Sequence, residues 1–242
     1  MPDTSADPFA RLGVLEGVAS AMAASRDGID ALLRDRGLRS SAPDLTGESL
    51  LRGAHASAVL EGSQARLEDV RAGAADPAAR AAVRVSAELL GQVPVLGASP
   101  LQVFARLHTL AGKGEAADDE LGRPRTAEAS TRLGDLARLL VTATTAPALV
   151  VAAVVHAELA TAAPFVSHNG LVARAAERLV LVARGVDPKS LVVPEAGHLA
   201  LRREYESNLR GYRDGGPTGV HSWLLYAAEA YAAGAEASPL RR

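Results

Sequence analysis

The chain contains no cysteine, which excludes a disulfide framework and any thiolate-held metal. It also lacks an excess of one charge: 26 basic residues against 28 acidic ones leave a net charge of -2. The arginines are dispersed among the acids and build no basic stripe able to hold a phosphate backbone by counterion release, so nucleic acid is not an expected partner. The opening segment MPDTSADPFARLG lacks the basic-then-apolar layout of a secretory signal, and a cytoplasmic protein is expected. Strand signals are scarce, because β-branched and aromatic residues hardly alternate anywhere over the length of a strand. The glycines form neither a Walker nor a dinucleotide fingerprint, and Ser/His/Asp and Cys/His catalytic arrangements find no support.

One uncharged run, Leu139 to Val155, approaches the length of a spanning helix. Pro147 and the Thr144-Thr145 pair split it into two buried helices joined by a tight turn, with Pro147 in the first turn of the second. No membrane association is expected.

What the chain has in abundance is apolar residues at three- and four-residue spacing, with 48% hydrophobic content over 242 residues. That pattern predicts an all-α fold with one sizeable core. Helices are predicted over 8–35, 47–72, 78–93, 98–112, 127–144, 147–162, 169–185, 197–213 and 217–235. An N-terminal helix and linker (1–45) would precede a single larger domain (46–242), with loops at 39–44 and 93–100. The polar segment 113–126 is long for a helix connection and is a candidate flap.

The segment from His156 to Arg174 carries the most chemistry. It reads as a helix end, a loop Ala163-Pro164-Phe165-Val166-Ser167-His168, and a new helix opening at Asn169-Gly170. A small-residue loop feeding a helix N-terminus aims free N–H groups and the positive end of the helix dipole at one point, which suits an anion. An ordinary cap by Ser167 or Asn169 explains the same residues. His156 in its apolar helix reads as a buried, hydrogen-bonded histidine. His55, His108, His198 and His221 are scattered without ligand spacing, so no metal site is expected.

The order of these residues resembles the motif of the Fic (Fido) family of AMP-transferring enzymes, His-Pro-Phe-x-Asp/Glu-Gly-Asn-Gly-Arg-x-x-Arg, which falls on Ala163 to Arg174. His156 stands seven residues before Ala163, where the family often has a histidine. Ser57-Ala-Val-Leu-Glu61-Gly62 is similar to the inhibitory helix found upstream in many such proteins, here within the helix at 47–72. Tyr205, Leu209, Tyr212, Gly215 and Trp223 are similar to the family's closing helices. The resemblance implies a Fic-type helical bundle, a central helix-loop-helix, and a pairing of Glu61 with Arg174.

It also implies losses. Ala163 occupies the place of the family's general base and has no group able to accept a proton. Ser167 replaces the acid that holds magnesium, and Leu171 replaces an arginine that clamps phosphate. His168 replaces a glycine. The expectation is therefore a degenerate member in which AMP transfer is lost and no cofactor is needed. It would act through a protein partner or a nucleotide-like ligand in a remnant pocket of Pro164, Phe165, Ser167, His168, Asn169, Gly170 and Arg174. The alternative is a divergent transferase of nucleotidyl or related groups that uses ATP and magnesium, with His168 as base.

Overall fold

The computed structural model describes residues 7–34, 42–73 and 76–241. Among the described residues every regular element is helical, as the periodicity predicts. The elements are α1 (Pro8–Gly13), α2 (Val18–Leu33), α3 (Ala42–Leu60), α4 (Leu67–Arg71), α5 (Pro77–Leu89), α6 (Val93–Leu96) and α7 (Pro100–Gly112). They continue with α8 (Ala127–Val141), α9 (Ala148–Ala162), α10 (Asn169–Ala183), α11 (Pro194–Ala200), α12 (Arg202–Asp214) and α13 (Gly216–Glu236).

Local chemistry explains many of these starts. Asp7, Asp76 and Thr126 each accept the N–H three residues ahead and so cap α1, α5 and α8. Proline occupies the first turn of α1, α5, α7 and α11, where its missing N–H costs nothing. The centre is the antiparallel pair α9 and α10. Helix α9 is apolar all round and buries every residue from Leu149 to Ala157, as a helix enclosed by others must. Around this pair lie α3, α5, α11, α12 and α13, with α3 packed on both α5 and α11 and α2 along α13. Among the described residues no helix is long and apolar enough to cross a membrane.

Several predicted boundaries require correction. The helix expected over 8–35 breaks after α1, because Gly17 takes a left-handed conformation (φ 74°) before α2. The helix expected over 47–72 ends at Leu60, and Gly62 (φ 96°) turns the chain toward the short α4. The loop expected at 93–100 contains α6, since Pro94 begins a helical turn here instead of ending one. The helix expected over 197–213 is two helices meeting at Leu201, whose backbone leaves the helical region (φ -109°, ψ 37°). Gly197 lets α11 press on α13 backbone to backbone: a Cβ there would run into the Ala230 carbonyl. The loop expected at 39–44 lies outside the described residues as far as 41, and α3 begins at Ala42.

Candidate functional site

The loop between α9 and α10 is shaped at both ends by residues in left-handed backbone, Ala163 (φ 43°) and His168 (φ 55°). His168 holds this conformation although it carries a Cβ. Between them Asn169 clasps the loop: Phe165 N–H donates to Asn169 Oδ1 at 2.9 Å, and Asn169 Nδ2 donates to the Phe165 carbonyl at 2.8 Å. Phe165 is wholly buried and stacks on His108 of α7, ring centroids 4.4 Å apart. Leu171 is buried and turned into the core.

Arg174, one turn into α10, is buried to 2% exposure. Its Nε donates to Ser57 Oγ at 2.6 Å and its Nη2 to Glu61 Oε1 at 2.6 Å. The pair expected from the sequence therefore exists, and Ser57 takes part in it. Glu61 Oε1 also lies only 2.6 Å from where a Cβ on Gly170 would be. The carboxylate thus sits directly over the first turn of α10, in the place where that helix's N-terminus would receive an anion. Gly62, with its positive φ, turns the chain away immediately afterwards.

A cavity of about 420 Å³ opens beside this pair, lined by Glu61, Gly62, Ser63, Asp76, Glu115 and His168, among others. His168 faces it with Nδ1 at 2.8 Å from Ser167 Oγ and Nε2 at 3.3 Å from Glu115 Oε2. Asp76 accepts from Ser63 Oγ at 2.6 Å and from the Ala79 N–H, and these bonds hold its carboxyl below the usual range. Of the residues expected to line a remnant pocket only His168 lines this cavity; Pro164, Phe165, Ser167, Asn169, Gly170 and Arg174 do not.

The candidate flap, 113–126, folds down on the loop. Arg125 N–H donates to the Pro164 carbonyl at 2.8 Å. Gly122 N–H donates to His108 Nδ1 at 2.9 Å, and Gly122 is in left-handed backbone (φ 74°) with a Cβ position against the Ala105 carbonyl. His108 must be neutral to accept that bond, and burial, followed by the nearby His168, pushes its pKa down. Arg84 secures the flap's entry by donating to the carbonyls of Leu110, Ala111 and Lys113.

Sequence reasoning missed the polar interior behind the loop. Tyr205 of α12 accepts from Arg174 Nη1 at 3.2 Å and lies 2.9 Å from His156 Nε2. His156 Nδ1 and His198 Nε2 both stand 2.9 Å from Glu177 Oε2. The histidines that look scattered along the chain thus meet in space. Arg178 ties α3 to α10 and α11 through Ser49, Ser190 and Glu195. One signal was available: Arg174, Glu177 and Arg178 fall at three- and four-residue spacing in an otherwise apolar helix, the mark of a buried polar face.

An all-α bundle centred on a helix-loop-helix is the fold of Fic proteins, and this chain has that fold. Solved structures agree. Over 91% of this chain and 71% of that one, it is similar to a fragment of Fic-1 from C. elegans, with a TM-score of 0.72 and 18% identity. For a Fic family protein from Desulfovibrio desulfuricans G20 the TM-score is 0.75 at 17% identity, over 93% of this chain and 74% of that one. No family model matches the sequence, and no curated protein does.

Proposed function

We propose that the chain is a Fic-fold protein in which AMP transfer is impaired and which works by binding a protein partner. One observation carries the reading: the Glu61 carboxylate stands on Arg174 above Gly170, where the resemblance puts nucleotide phosphate. Ala163, at the family's base position, offers no proton acceptor, and losing a general base costs roughly 10²–10⁴ in rate.

The residues do not fit a magnesium–nucleotide complex. Ser167 brings no carboxylate to a hard cation, and buried Leu171 brings no guanidinium to a phosphate. The cavity rim carries Glu61, Asp76 and Glu115, whose charge repels a triphosphate. A protein partner accommodates all three features.

The test is labelled ATP with magnesium or manganese, offered to wild type and to Glu61→Gly. The variant deprives buried Arg174 of a charged acceptor and is expected to lose about 1–2 kcal/mol of stability, less than a fully buried pair would because Glu61 is 26% exposed. No transfer is expected from either protein, and no ATP-dependent rise in melting temperature. Transfer by the variant would overturn the reading.

A second reading, a divergent transferase with His168 as base, has one observation in its favour: His168 lines the cavity between Ser167 and Glu115. ATP-dependent self-labelling that disappears in His168→Ala would establish it in place of the first.

A further inference from the structure

Away from the helix-loop-helix site, the interior holds a second constellation. Glu177 of α10, His156 of α9 and His198 of α11 are each buried to 0% exposure. They come from three different helices and bring a ligand-type atom apiece within 4.8 Å of one another. The outer atom of each is held by a tyrosine hydroxyl: Tyr205 at 2.9 Å from His156 Nε2, Tyr226 at 2.8 Å from His198 Nδ1, and Tyr231 at 2.8 Å from Glu177 Oε1. Such an outer ring of partners is how proteins orient metal ligands.

Charge points the same way. Glu177 brings a carboxylate into the interior, where its Oε2 faces both imidazoles at 2.9 Å. Arg174 reaches the group only through Tyr205 and already pairs with Glu61. Buried carboxylates are paired or coordinate metals, and the groups directly on this one are two imidazoles and a tyrosine hydroxyl.

We infer that His156, Glu177 and His198 form a structural site for a first-row divalent metal, zinc in the first instance. Two imidazoles and a carboxylate without thiolate suit zinc and its neighbours. The 2.9 Å separations would widen by about half an ångström around an ion with bonds of about 2.1 Å in tetrahedral geometry. The second Glu177 oxygen stays on Tyr231, so the chain supplies three donors and a water takes the fourth position. Each ring would move its proton to the outer nitrogen, where the oxygen of Tyr205 or Tyr226 accepts it, and no proton leaves the core. With no opening to solvent, the ion enters as the chain folds. This assignment is independent of the reading given for the Glu61 pocket.

The experiment uses the full chain. Metal content of the purified protein is measured directly. The protein is then unfolded in denaturant with EDTA and refolded with EDTA, with zinc or with cobalt(II). About one equivalent of metal per chain is expected, with a cobalt absorption band typical of nitrogen and oxygen donors and a melting temperature several degrees above that of the EDTA-refolded protein. Glu177→Gln should lose the band if it folds. Metal-free purified protein that melts at the same temperature with and without zinc, and gives no cobalt band, would overturn the assignment and leave a hydrogen-bonded network.

Discussion

Ala163 and His168 hold left-handed backbone at the two ends of the loop, a conformation that costs a residue with a Cβ about 1–2 kcal/mol. Ala163 makes no side-chain bond in return, so the strain there is uncompensated. Ala163→Gly is expected to raise stability by about 1 kcal/mol, offset in part by the freer unfolded chain, and to raise the melting temperature by about 2–4 °C. Thermal unfolding of the two proteins checks it, and an unchanged or lower melting temperature would show that the strain is relieved elsewhere. His168 differs, because it gains contacts with Ser167 and Glu115. At this scale much was legible: the motif is contiguous, and the resemblance, carried also by Ser57 to Gly62 upstream, implied the pairing of Glu61 with Arg174. The histidine–glutamate core was not, because its members lie 21 and 49 residues apart along the chain from their partners and meet only through helix crossing.

At the scale of elements, the join between α3 and α4 depends on Glu48. It receives Arg71 Nη1 at 2.6 Å and Arg52 Nε at 2.8 Å, and the Arg71 bond, opposed by burial and joined by Arg52, brings its pKa from 4.5 to about 2. A depressed carboxylate contributes stability that is present above its unfolded value and is lost as pH falls through the folded one. That window runs from about pH 4.5 to about pH 2. With Arg71 about half exposed, solvent screening reduces the contribution to about 1 kcal/mol. Urea titrations should find Glu48→Gln less stable than wild type by that amount at pH 7 and the difference gone near pH 2. A gap that persists in acid would mean that packing, not charge, joins the helices. Helix type was readable from period, whereas breaks at Gly17, Gly62 and Leu201 were not: each is set by what the next helix must reach.

At the scale of the whole molecule, the fold was the most legible feature and the connections the least, since apolar spacing says which face is buried and not against what. The flap illustrates this. Its length and polarity marked it out, but beside the Glu115 contact with His168 it is held by two amide bonds, to His108 of α7 and to Pro164 of the loop, that no side-chain pattern announces. One of these bonds makes the flap answerable to acidity in time as well as in place. A neutral imidazole accepts the Gly122 amide and an imidazolium cannot, so each protonation of His108 unlocks one end of the flap. Because the pKa of His108 is depressed, this end stays fastened at neutral pH and opens in acid, below the ordinary histidine range. Deuterium exchange at Gly122, corrected for its intrinsic pH dependence, should quicken there relative to core amides of α9. In His108→Phe, which keeps the stack on Phe165, it should be fast at every pH, so that one amide serves as a clock for the motion of the flap.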